Sequence, residues 1–162
     1  MVLPDNWASL TAAQQLFVAT NLERTVRGLA PITGMDPALD AVATVGAKQG
    51  TDPPLSANGT YVAVGDNWIQ GYSNPLEAIY QWVYDDGLGS TNVDCTRADL
   101  SSCWEHRSNV LLALPCDSCA LGAAFAPTDT RGEPLSFAEV LAESQTLGSY
   151  SFTWEDELAH LG

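Results

Sequence analysis

Apolar positions in the first third of the chain recur at helical intervals, the spacing that puts side chains on one face of an α-helix. Leu16, Ala19, Leu22, Val26 and Leu29 form the first such stripe, and Thr11 with Gln14 ahead of it matches a capping box, in which two side chains satisfy free backbone N–H groups reciprocally. Gly28 and Pro31 are placed to end that helix. Asp36 before Pro37 supplies a cap and a pre-set first turn, so a second helix carries Leu39, Val42 and Ala43 inward until Gly50. Asn74-Pro75 with Glu77 starts a third, in which Leu76, Ile79, Tyr80 and Val83 make one buried stripe and Gly87 is the stop. Ser102 and Glu105 offer another capping box for a short helix that carries His106 and ends at Pro115.

Between and after these helices the pattern changes. Asp52, Pro53, Pro54, Asn58 and Gly59 are turn formers, and Tyr61 to Val64 is the first strand-like run. Leu88 to Asp99 reads as a loop. Cys119 to Ala126 and Ser149 to Trp154 read as strands, separated by a helical or irregular stretch from Ser136 to Ser144 with a Ser-x-x-Glu start. Helices with two or three antiparallel strands predict an α+β fold. No internal repeat or low-complexity linker divides the chain, and 162 residues with 46% apolar content fit one domain over residues 1–162.

Charge narrows the partners. Twenty acidic residues against six basic ones give a formal charge of -14, which repels phosphate backbones and anionic membranes, so nucleic acid is excluded as a partner. The plainest use of this acidity is a solvated surface, and a monomer is expected. No run approaches the roughly 20 apolar residues of a membrane-spanning helix, so the chain is not expected to be transmembrane.

Four cysteines fall in two close pairs, Cys95 with Cys103 and Cys116 with Cys119. Structural zinc would want both pairs at two- to four-residue spacing, which Cys95 and Cys103 lack. A redox role for Cys116-Asp117-Ser118-Cys119 would need a thioredoxin-like strand and helix, whereas Pro115 precedes it and an apolar run follows. Local disulfides fit best and imply an oxidising, extracellular setting, although four cysteines allow three connectivities and spacing alone does not choose. Asn58-Gly59-Thr60 matches a glycosylation sequon, a motif short enough to arise by chance.

The chain holds two histidines. His160 lies near the end of the sequence, where chains fray, so acid–base or metal chemistry centres on His106. Trp68, Trp82, Tyr84, Trp104 and Tyr72 fall in neighbouring motifs; core packing accounts for Trp82 and Trp104, and Trp68 and Tyr72 are freer to border a groove. Ser108 is not placed to be a nucleophile for His106, because helix positions two apart do not face each other.

In their order, four segments resemble the CAP superfamily of cysteine-rich secretory, antigen 5 and pathogenesis-related proteins, especially its bacterial branch. They are Asn21-Leu22-Glu23-Arg24 with Gly28-Leu29-Ala30-Pro31; Gly65-Asp66-Asn67-Trp68; Trp82 to Asp85; and Cys103-Trp104-Glu105-His106-Arg107-Ser108-Asn109-Val110-Leu111. The resemblance implies a secreted three-layer α-β-α sandwich with a small antiparallel sheet between helices. It also implies a cleft where His106, Asp85 and Asp66 stand for one of the family's two histidines and its two acidic residues. The other histidine, expected near Pro54 and Leu55, has no match, and both carboxylates are one methylene short of glutamate. No cofactor is required, and a divalent metal held by Asp66, Asp85 and His106 would be weakly bound. The sequence therefore predicts a binding module whose ligand site is Asp66, Trp68, Asp85 and His106, for lipid or cell-envelope small molecules. Its rivals are a metal-assisted hydrolase or peptidase with His106, Asp85 and Asp66 as catalytic candidates, and a structural extracellular module.

Overall fold

The computed structural model describes residues 1–57, 59–113, 118–144 and 148–162. Its helices are α1 (Ala12–Thr25), α2 (Pro37–Gln49), α3 (Pro75–Tyr84), α4 (Glu105–Val110) and α5 (Trp154–Leu158), and its strands are β1 (Gly34–Met35), β2 (Tyr61–Gln70), β3 (Cys119–Thr128), β4 (Pro134–Ser144) and β5 (Phe152–Thr153). The strands form one sheet in the order β2-β4-β3-β1-β5. All neighbours run antiparallel except β1 and β3, which are parallel. The fold is α+β.

Side chains alternate across a strand, so the register assigns each residue to a face. On one face Leu121, Phe137 and Leu141 pack with Phe17 of α1 and with Ile79 and Trp82 of α3. On the other, Ala120, Val140 and Ala142 meet Leu39, while Ala138 meets Ala43 and Ala47, all from α2. Helices thus cover both faces of the sheet and give three layers. A Cβ on Gly122 would run into the backbone of Leu39, so α2 lies against β3 at a distance only glycine permits.

The helix starts follow local chemistry. Thr11 and Gln14 form the reciprocal box, Asp36 caps Ala38, and Gly50 closes α2 in the left-handed conformation. Asn74 caps α3 as expected, although Glu77 reaches past it to the N–H of Ser73 (2.7 Å).

Several expectations are corrected. Ser136 to Ser144 is not helical but lies in β4, the strand paired on both sides; Phe137, Glu139 and Leu141 alternate with Ala138, Val140 and Ala142, so its two buried faces erase the polar half of the strand pattern. The sheet is mixed and five-stranded rather than two or three antiparallel strands, since β1 and β5 are too short to show any period. Trp154 opens α5 instead of ending a strand, with Thr153 as its cap. Tyr80 is 56% exposed, and the buried stripe of α3 is Ala78, Ile79, Trp82 and Val83. Helix α1 stops at Thr25, before Gly28. Ser102 does not cap α4, whose cap position is Trp104 in the left-handed region (φ 68°) without a side-chain bond.

Cys95 and Cys103 form a disulfide. Helix α4 ends at Val110, well before the expected stop at Pro115, while the pairing of Cys116 with Cys119 and the sequon at Asn58 involve residues outside those described. No helix of the described residues is long and apolar enough to cross a membrane.

Candidate functional site

Strand β2 is one edge of the sheet, and α4 docks beside it through a polar network rather than an apolar one. Asn67 of β2 donates from Nδ2 to the carbonyl of His106 (3.3 Å) and to Glu139 Oε1 (3.1 Å). Asn109, one turn after His106, donates to the carbonyl of Asp66 (2.6 Å) and to Asn67 Oδ1 (3.1 Å). Behind them Thr20 of α1 donates to Glu139 Oε2 (2.8 Å). Arg24, also from α1, donates to the carbonyls of Val110 and Leu112 (2.9 Å each) and so fixes the C-terminal end of α4. Every side chain of this set finds a partner, which is the condition for burying polar groups without a large cost.

The N-terminal end of α4 is held by Asp86, in the loop after α3 and 1% exposed at its side chain. Its Oδ1 accepts from His106 Nδ1 (2.7 Å) and from Asn92 Nδ2 (2.7 Å), its Oδ2 from the N–H of Arg107 (3.2 Å), and its carbonyl from the N–H of Trp104 (3.0 Å). The bonds that Asp86 accepts from the N–H groups of Trp104 and Arg107 and from the His106 ring explain how Trp104 can adopt a backbone conformation that non-glycine residues avoid. Gly87 adds to this, because a Cβ there would strike the indole of Trp104. With Nδ1 committed to a carboxylate, Nδ1 carries the proton of a neutral ring and Nε2 presents a lone pair.

His106 keeps 24% of its side chain exposed, toward a crevice of about 270 Å³. Its aromatic and apolar wall is Trp68 and Ile69 from β2, Trp82 from α3 and Tyr72 beyond β2, with Asp52, Asp85, Asp86 and Asp94 on the same lining. A smaller recess of about 200 Å³ shares His106, Asp52, Asn92 and Asp94 and adds Asp66, Glu105 and Asn109. The Cys95–Cys103 disulfide closes the loop that carries Ser102 along the rim, with Asp94 next to its first cysteine.

The electrostatics follow from this crowding. Burial first and the charge of Asp52 second push the Asp66 carboxyl up to about 6, with His106 working against both. Asp52 is raised as well, first by desolvation within the crevice walls and then by Asp94 and Glu105, while His106 and the N–H of Trp68 lower it. For His106 desolvation opposes the charged ring, yet the hydrogen bond and charge of Asp86, with Asp52 and Glu105, outweigh it and leave the imidazole above its ordinary value. Glu139 is fully buried and lifted to about 7 by desolvation, against the bonds from Thr20 and Asn67 and the charges of Arg24 and His106.

The structure brings together His106, Asp66, Trp68 and Asp85 along one crevice and its recess, from segments up to forty residues apart. The bonded partner of the imidazole, however, is Asp86 rather than either aspartate singled out from the sequence. Asp85 is the C-cap residue of α3, and Asp66 sits on β2 opposite Val140. Ser108 Oγ donates to the carbonyl of Trp104 (2.8 Å) and is turned away from the imidazole's chemistry. Trp104 is 42% exposed and carries Arg107 over its ring, so it is not a core residue.

Sequence reasoning missed Asp86, Asp52, Asn67 as an organiser, and Glu139. Adjacent aspartates 85 and 86 offered no signal to choose between them. Asn109 was legible in principle, since a residue three positions after His106 lies on the same helix face. Among the described residues no three His, Cys, Asp or Glu side chains are disposed to hold a metal ion, and Asp66, Asp85 and His106 do not form a ligand set. No family model, no curated protein and no solved structure matches this chain.

Proposed function

We propose that the chain is a secreted CAP-like binding module and that its ligand site is the crevice between β2, α3 and α4. The observation that carries this reading is the convergence of Trp68, Tyr72 and Trp82 with His106 on one concavity, which combines an apolar wall with a few oriented polar groups as small-molecule sites do. The disulfide beside the rim supports an oxidising compartment, and the CAP resemblance supplies the expectation of a lipid or cell-envelope ligand. The carboxylates on the lining argue against fatty-acid anions and phosphates within that class. Native mass spectrometry of protein secreted under oxidising conditions tests the reading. A co-purified small molecule that is lost in Trp68→Ala and retained in His106→Ala is the expected result; protein free of ligand, with no mass shift against extracts of its producing cells, rejects it.

A hydrolase is the second reading, favoured by the 2.7 Å contact of His106 with Asp86, which orients the imidazole as a general base with Nε2 toward the crevice. In that case His106→Ala abolishes turnover of a peptide or ester at nearly unchanged thermal stability. The metal-assisted form of this idea finds no ligand set in Asp66, Asp85 and His106.

A further inference from the structure

The lining of the crevice is charged on one side only. Asp52, Asp66, Asp85, Asp94 and Glu105 face the main cavity or its recess, whereas none of the six lysines and arginines lines either. Among the described residues, the side chains of Asp66, Asp85 and Asp94 make neither a hydrogen bond nor an ion pair. The guanidinium of Arg131 is paired with Asp129 (2.7 Å) and lies over the ring of Trp68 at 5.7 Å from its centroid. Trp68 thus already accepts a cation against its ring, the kind of interaction an organic ammonium ion makes with an indole. Tyr72 extends the aromatic wall, with the buried Trp82 behind it, and about 270 Å³ is at or just below the small end of ligand pockets.

From this juxtaposition we infer that the crevice selects a small organic ammonium ion, an apolar or aromatic body carrying a protonated amine, with the body on Trp68 and Tyr72 and the amine among Asp52, Asp66 and Asp94. The inference rests on the binding reading above and adds the sign of the ligand's charge. An anionic amphiphile would place its head against the same carboxylates, and like-charge contact at a partly desolvated site is strongly unfavourable. A neutral ligand would keep the wall contacts alone.

Three probes with one aromatic body separate these cases: tryptamine (cation), tryptophol (neutral) and indole-3-acetate (anion), each titrated into the intact oxidised chain at pH 7 and followed through the NMR signals of the Trp68 indole N–H and the His106 ring. Tryptamine is expected to move both signals and to bind about fivefold or more tightly than tryptophol, with indole-3-acetate weakest. Added salt should narrow the gap between tryptamine and tryptophol, as should Asp66→Asn combined with Asp94→Asn, two carboxylates the fold does not use for bonding. Tryptophol binding as tightly as tryptamine would overturn the charge preference and leave the binding reading standing, because the Trp68 signal still responds. A preference unchanged in the double variant, or no response to any of the three probes, overturns the inference itself, while the co-purification experiment judges the binding reading independently.

Discussion

Asp86 does more than hold a ring. Its two carboxylate oxygens accept three bonds, from His106, Asn92 and the N–H of Arg107, so removing its charge acts on the imidazole and on the start of α4 together. Asp86→Asn is expected to lower the titration midpoint of His106, read by NMR, because the neutral amide removes the hydrogen-bond acceptor and the charge that outweigh desolvation. It should also cost about 1–3 kcal/mol in denaturant unfolding, the range for leaving buried partners of a charged group unsatisfied. An unchanged His106 midpoint would mean that Asp52 and Glu105, not Asp86, set the charge of the ring. Asp85→Asn is the matched control, since its side chain takes no part in that network.

At the scale of elements, α4 is a six-residue helix that could not persist alone. It exists because three other elements grip it: β2 through Asn67 and Asn109, α1 through Arg24, and the loop after α3 through Asp86. The close approach of Gly87 to Trp104 belongs to the same grip. Gly87→Ala should destabilise by about 1–3 kcal/mol, the usual cost of overpacking, and shift the His106 resonances more than those of the α2 face. The disulfide acts on the rim rather than on the sandwich. Replacing Cys95 and Cys103 together with serine should cost no more than about 2–3 kcal/mol, the entropy of so short a loop, and faster amide exchange is expected in residues 88–104 while β3 and β4 stay protected.

For the whole molecule, three groups impose one pH dependence. The folded-state value of His106 is raised, so its contribution is complete below the unfolded value of 6.5 and is lost as pH rises through the folded one. Asp66 at about 6 and Glu139 at about 7 stand above their unfolded values of 3.8 and 4.5, so the native state binds those protons more tightly and gains on the unfolded chain as pH falls. Loss of repulsion within a chain of charge -14 has the same sign. Thermal stability should therefore be higher at pH 5 than at pH 8, then fall in strong acid as Asp129, held down at about 2 by Arg131 and neighbouring N–H groups against its desolvation, is protonated. In Glu139→Gln the difference between pH 5 and pH 8 should shrink; an undiminished difference would assign the effect to His106, Asp66 and net charge alone.

What the sequence determined by itself is whatever neighbours along the chain can decide. Thr11, Asp36 and Asn74 fix the starts of α1, α2 and α3 because a cap acts within three residues. It also singled out His106, Asp66, Asp85 and Trp68, which share the crevice or its recess with residues it did not single out. The tertiary structure alone decided the rest, for a common reason. Strand β4 is buried on both faces, so the alternation that would mark it disappears until β2 and β3 are in place beside it. The choice of Asp86 over Asp85 depends on the direction in which α3 ends, and Asn67 and Glu139 acquire their roles only because the β2–β4 register sets them opposite one another. Partnership across the sheet is a matter of distance in space, which no local pattern along the chain records.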